Sequence, residues 1–224
     1  MKGPRTRAAP APQSPGEPRR PRFQRQLPEQ RRAALIAATI ECLKRYGHEG
    51  LSIRTISAQA GVSVGLINHH FPNKDELVAA AFSHFNRELV DTLKAAAARA
   101  DTPAARLRAF LEASFSPPNL DADVLTVWVV FWSMYRHSRP IQRVQRETYT
   151  DYVRLIRSLL ADLLGKGADG GRGRGKSGVN LRLAAIGFTA LLDGLWLEWC
   201  LDPKGFTADE AVAACLDLVT RTFA

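Results

Sequence analysis

The chain has 224 residues, 46% of them hydrophobic, and a formal net charge of +9. That supplies a core for one large domain, or a small domain joined to a larger one. No unbroken apolar run approaches the ~18 residues of a bilayer span, and no apolar segment follows the basic start, so neither a span nor a secretory signal is expected. Residues 1–28 carry Lys2, Arg5, Arg7, Arg19, Arg20, Arg22 and Arg25 against Glu17 alone, which accounts for +6 of the +9. The rest is close to balance, so charge by itself does not identify a nucleic-acid binder. Cys42, Cys200 and Cys215 lie far apart without CxxC spacing, which argues against a disulfide framework and a zinc site. They read as reduced core thiols of a cytoplasmic protein.

In chain order, residues 1–28 are rich in Pro and Arg and poor in branched apolar residues, so a disordered arm is expected, either a floppy leader or a contributor to phosphate contacts. From Glu29 helical spacing begins, with Ala34, Leu35, Ala38, Ile40, Cys42, Leu43 and Tyr46 forming a stripe that stops at Gly47. Ser52 caps a short helix that turns Ile53, Ile56 and Ala60 inward and ends at Gly61. Ser63 caps the next, which Pro72 stops. A long helix from Asp75 to about Ala98 follows, then helical stretches near 103–115, 122–136, 140–164, 180–201 and 207–222. Nothing reads as a strand. Residues 165–178 hold seven glycines in fourteen positions and read as a flexible loop. The pattern predicts an all-α protein: a three-helix head over 29–74, then a helical regulatory and dimerisation body over 75–224.

Two helices joined by a tight glycine turn make a helix-turn-helix. Gly61 permits the left-handed turn, Val62 plugs that turn into the core, and Ser63 satisfies the free N–H groups of the second helix. The positive end of that helix suits a phosphate backbone, and its outward residues reach base edges. The stretch SIRTISAQAGVSVGLINHHFPNKDELVAAAF, Ser52 to Phe82, resembles the DNA-binding head of the TetR family of repressors. The resemblance implies that Ser52 and Lys74 contact backbone phosphates. It places Ser63, Val64 and Gly65 at the groove-facing start of the recognition helix, with Asn68 and His69 a turn later. Asn68 suits a bidentate reading of adenine. His69 and His70 are neighbours on a helix and point to different sides, so no metal site is expected, and His70 is expected beneath the head.

One head covers one half-site, so a homodimer on a palindromic double-stranded operator is expected. Gly187, Leu191, Gly194, Leu195, Val212, Leu216 and Val219 of the last two helices are the expected interface, as the family's four-helix dimer bundle also implies. In the body, Trp128, Phe131, Trp132 and Tyr135 recur at helical spacing, and Trp196 and Trp199 lie near Asp193 and Glu198. Core packing explains most such stripes. The alternative is a cage in which Trp128, Trp132, Tyr135 and Trp196 surround a cation held by Asp193. Val127–Tyr149 and Phe188–Leu201 resemble the regulatory part of the choline-responsive Bet-type repressors, which implies a small-molecule effector such as choline.

One decoy competes. Gly170 to Ser177 spells the phosphate loop GxxxxGK[ST], but helix rather than strand precedes it, and half-glycine sequence meets that spelling easily. No catalytic arrangement stands out, so neither an enzyme nor a cofactor is expected. The competing functional reading is an architectural or constitutive DNA-binding protein without an effector, which has no need of so large a body.

Overall fold

The computed structural model describes residues 27–165 and 180–223. Among them there are nine α-helices and no strand, as the pattern predicts. They are α1 (Pro28–Tyr46), α2 (Ile53–Ala60), α3 (Val64–His70), α4 (Lys74–Ala98), α5 (Pro103–Ser114), α6 (Ala122–Tyr135), α7 (Arg139–Leu163), α8 (Leu181–Leu201) and α9 (Ala208–Phe223). Most of the basic arm, and the phosphate-loop spelling at 170–177, lie outside the described residues.

Local chemistry sets the helix ends. Pro28 opens α1, and Gly47 closes it with φ 59°. Ser52 accepts from Thr55 N–H at 3.0 Å, and Ser63 from Leu66 N–H at 3.3 Å. Between them Gly61 takes the left-handed φ of 65° that ends α2 and turns the chain into α3. Asn73 caps α4, accepting from Glu76 N–H at 2.9 Å, and Asp75 and Glu76 place negative charge on that helix's positive end. At α9, Glu210 accepts from Thr207 N–H at 2.7 Å while Thr207 accepts from Glu210 N–H at 3.2 Å, a reciprocal capping box.

The helices enclose two apolar cores. The first gathers Leu35, Cys42 and Leu43 of α1, Ile56 of α2, Ile67 of α3, and Leu77 and Phe82 of α4. It also recruits Val127, Val130 and Phe131 of α6, and Ile141 and Val144 of α7, residues that follow the head by some fifty positions or more in sequence. Phe82 and Phe131 stack here with centroids 4.1 Å apart. Burial of each such ring is worth roughly 1.5–3 kcal/mol. The second core is built from Leu93 and Ala97 of α4, all of α5's inner face, Ile156 and Leu160 of α7, and the inner faces of α8 and α9.

Among the described residues, only α4 and α7 run through both cores. Each has 25 residues, a length of about 37 Å at 1.5 Å per residue. Where they leave one core for the other, each carries a buried polar residue: Asn86 on α4, whose Nδ2 donates to Phe82 O at 3.1 Å, and Thr148 on α7, whose Oγ1 donates to Val144 O at 2.9 Å. The apolar packing is interrupted there, which makes a seam.

Two expectations change at this level. Cys42 and Cys215 are core thiols, but Cys200 is only partly buried near the end of α8. The sequence holds no unbroken apolar run of span length, yet α8 passes the gentler test of average composition, with mean hydropathy 1.3. Asp193 and Glu198 interrupt the run and lower that mean, but the surrounding leucines and alanines keep it positive. Phe188, Thr189 and Leu192 face the core, while Leu183, Ile186 and Leu201 stay exposed.

Candidate DNA interface and effector cavity

The head presents one continuous face. Ile67 is fully buried, which turns the opposite side of α3 outward and exposes Val64, Gly65, Asn68 and His69. A Cβ at Gly65 would meet nothing nearer than Ser63 Oγ at 3.9 Å, so no internal packing demands glycine there. Ser52 is exposed at the start of α2, its hydroxyl also 2.6 Å from Thr55 Oγ1. Lys74 Nζ donates to Leu51 O at 3.4 Å, so the fold brings Ser52 and Lys74 to one edge from positions 22 residues apart in sequence. The His69 and His70 rings meet edge-on at 5.2 Å. Among the described residues no group of His, Cys, Asp and Glu is arranged to hold a metal ion.

Arg32 belongs to this face and carries no sequence signal. Its guanidinium covers the Phe71 ring at 4.2 Å from the centroid, and its Nη1 donates to His70 O at 3.5 Å. It therefore clamps the C-terminal end of α3, where a cation also meets the negative end of the helix dipole. Only the packing of α1 beside α3 reveals this.

A cavity of about 1000 Å³ lies along the seam, bounded by α1, α4, the α5–α6 connection, α6, α7 and α8. Trp128, Trp132, Asp193 and Trp196 line it, and so do Tyr149 and Tyr152 of α7. Trp128 is held edge-on by Phe82 at 5.6 Å and Phe85 at 5.7 Å, and lies 5.9 Å from Trp132. Trp196 Nε1 donates to Asn119 O at 2.9 Å, fixing the indole plane. Asp193 keeps surface open to the cavity, but the protein packed round its carboxyl removes water and raises its pKa from 3.8 to about 6. Burial is the cause of that shift, and among the described residues no cation pairs with the carboxyl. Tyr149 and Tyr152 are likewise pushed up, by burial first and by Asp193 next, so both stay neutral phenols.

Tyr135 is not part of this lining. It shares an angular face with Trp128, but seven residues at 1.5 Å carry it about 10 Å along α6, past the end of the cavity, where it is exposed. Tyr149 and Tyr152 take its place. They sit at i and i+3 on a helix with no aromatic cluster of its own, so only the fold brings them to the tryptophans. Trp199 packs against the second core instead.

The interface set also divides. Val212 and Val219 are buried inside the chain, at 4% and 3% exposure, because α9 has one apolar stripe and the second core uses it. They are corrected to core residues. Leu191, Leu195 and Leu216 are half-buried against the same core. Gly187 and Gly194 have nothing within 4 Å of where a Cβ would stand. With Leu183, Ile186 and Leu201 they form the outward face of α8, a second apolar side of a helix already apolar on its inner side.

Comparison with known proteins agrees with this architecture. Residues 35–81 match the family of bacterial regulatory proteins named for tetR. Residues 103–224 match the family described as BetI-type transcriptional repressor, C-terminal. The HTH-type transcriptional regulator BetI of Burkholderia thailandensis is 33% identical over 192 residues, covering 85% of this chain and 92% of that protein. A crystal structure of a Pseudomonas aeruginosa PAO1 protein described as a transcriptional regulator is 42% identical, with a TM-score of 0.78 over 90% of this chain and 94% of that one. A regulator of Saccharomonospora viridis, crystallised in complex with choline, shares the fold at a TM-score of 0.71 and 19% identity, covering 87% of this chain and 97% of that one. These families consist of regulators rather than catalysts. With its helix-turn-helix head and its C-terminal body matched separately, the chain belongs to the TetR family of transcriptional regulators, in the BetI-type repressor group.

Proposed function

We propose that the chain represses transcription as a homodimer on a palindromic operator, in the cytoplasm, and lets go when a quaternary ammonium compound of the choline type enters the cavity. The observation that carries this reading is the geometry round Asp193, a carboxylate that pairs with no cation among the described residues and lines the cavity together with tryptophan and tyrosine rings at the seam between two cores. A quaternary ammonium ion cannot donate hydrogen bonds. It is bound by a negative charge together with aromatic faces, each worth about 0.5–2 kcal/mol. The choline bound by the Saccharomonospora viridis regulator supports the ligand class.

Ser52, Ser63, Val64, Gly65, Asn68, His69 and Lys74 form the DNA-reading face of the head, residues 29–74. Phosphate contacts set its register, and Asn68 and His69 face base edges. The outward side of α8, with Gly187 and Gly194, seats the second copy and spaces the two heads. A ligand at the seam touches α4 beside Asn86 and biases the tilt of the first core against the second. Coupling of about 1–3 kcal/mol, or 5- to 150-fold in operator affinity, is enough for a switch of this kind. Fluorescence anisotropy on DNA from the gene's own upstream region, with and without choline and betaine aldehyde, tests the reading. Tight binding weakened by either compound supports it. Tight binding indifferent to both leaves the head in place and removes the choline-type effector.

A further inference from the structure

We infer that Tyr152 of α7 reads an oxygen on the effector, so that the cavity selects a quaternary ammonium ion bearing a hydroxyl or carbonyl group over the same cation without one. This rests on the cage reading and adds a second feature to its ligand. Tyr152 stands where the second core meets the cavity. Its ring packs against that core, with the Phe110 centroid 6.4 Å away, and its side chain also lines the cavity with Asp193. The position of the ring is therefore set by packing rather than by a ligand. Protein crowds its hydroxyl far more than that of Tyr149, which is 41% exposed. Among the described residues nothing hydrogen-bonds to the Tyr152 hydroxyl. The Asp193 charge reaches both phenols, yet neither phenol bonds to the carboxylate, so a gap separates the groups.

An O–H crowded by protein and without an acceptor in the chain costs free energy until something from outside pairs with it. The buried hydroxyls of Ser138 and Thr189 lack partners too, but neither lines the cavity. Tyr152 does. Burial first, and the Asp193 charge next, hold it as a neutral phenol. It can donate to a carbonyl oxygen, and it can donate to or accept from a hydroxyl. A cation that fills the cage displaces water from this phenol, and one that offers only alkyl groups leaves the phenol unpaired. Indole faces and a carboxylate bind either cation alike, so the oxygen is what Tyr152 adds.

Calorimetry on the full chain with choline and ethyltrimethylammonium, which differ by one oxygen, tests this. Choline is expected to bind about tenfold tighter, a difference of about 1.4 kcal/mol. Tyr152→Phe keeps the ring beside Phe110 and removes only the hydroxyl. It is expected to abolish the preference by weakening choline, with the affinity for ethyltrimethylammonium unchanged, which also shows that the variant is folded. Tyr149→Phe is expected to keep the preference. Equal affinities in the parent chain, a preference that survives in Tyr152→Phe, or one lost in Tyr149→Phe instead overturn the role of Tyr152 and leave the cage standing. If neither cation binds the parent chain, or if Asp193→Asn weakens neither, the cage falls and the role of Tyr152 with it.

Discussion

Gly65 and Arg32 separate what the head needs for folding from what it needs for DNA. A methyl at Gly65 makes only an ordinary contact with Ser63 Oγ at 3.9 Å, and alanine is the better helix former by up to about 1 kcal/mol. Gly65→Ala is therefore expected to hold or raise the melting temperature and yet weaken operator binding, if the proposed reading face brings DNA close to that backbone. A variant that melts higher and binds normally would remove Gly65 from the interface. Arg32→Ala uncovers Phe71 and frees the end of α3, with an expected loss of about 1 kcal/mol in stability and several-fold in operator affinity. Because Arg32 positions the helix rather than touching phosphate, the slope of log affinity against log salt should stay put; a slope reduced by about one would make it a phosphate contact. Asp193 gives a pH signature. Its carboxyl is pushed up to about 6 and its neighbours Tyr149 and Tyr152 stay neutral, so the proposed cage is expected to hold a cation above that pH and to lose it as pH falls through it. Between pH 7 and 5 the Kd for choline should rise about tenfold, following the ionised fraction. The raised pKa has the opposite sense for folding: ligand-free stability should increase as pH falls from about 6 toward 3.8, because the crowded carboxyl prefers to be neutral. A choline affinity that is flat across that window separates Asp193 from the cation.

Helices carry the next level of the design, and two of them make separate predictions. The outward side of α8 is smooth at Gly187 and Gly194 and apolar at Leu183 and Ile186. Replacing both glycines by alanine is tolerated by the folded chain, since a Cβ at either meets nothing within 4 Å, but it hinders close approach of a second α8. Sedimentation should then show monomer where the parent chain shows dimer; an unchanged dimer would move the interface elsewhere. On α4, Asn86 keeps the two cores apart. Asn86→Leu should join them and stiffen the seam, so that the effector still binds while operator release is blunted; normal release would deny the seam its role. These elements also show what can be read from a linear sequence. Helix ends were legible because Ser52, Gly61 and Ser63 act on backbone groups within four residues. Tyr135 and Val212 were misplaced because a periodic stripe gives an angle round a helix, not the distance along it or the neighbour it meets. Tyr149, Tyr152, Asn86 and Arg32 escaped notice for a related reason: each acquires its role from a helix distant in sequence.

At the scale of the whole chain, the boundary that matters mechanically does not fall where the head ends in sequence. Phe131 of α6 and Val144 of α7 complete the core that Leu43 and Phe82 begin, so the reading head is backed by parts of the body. Arg143 of α7 adds an ion pair at 3.1 Å to Glu76 at the start of α4. The second core holds α5, α8, α9 and the far halves of α4 and α7. The cavity at the division is walled by α1 on one side and α8 on the other, which lets a bound cation act on both units at once. Operator anisotropy of the parent chain and of Asp193→Asn, each with and without saturating choline, tests that coupling most directly. A 5- to 150-fold loss of operator affinity is expected for the parent chain and little or none for the variant, with equal affinities before choline is added. Equal responses of the two proteins, or a parent chain that choline leaves on its operator, would contradict it.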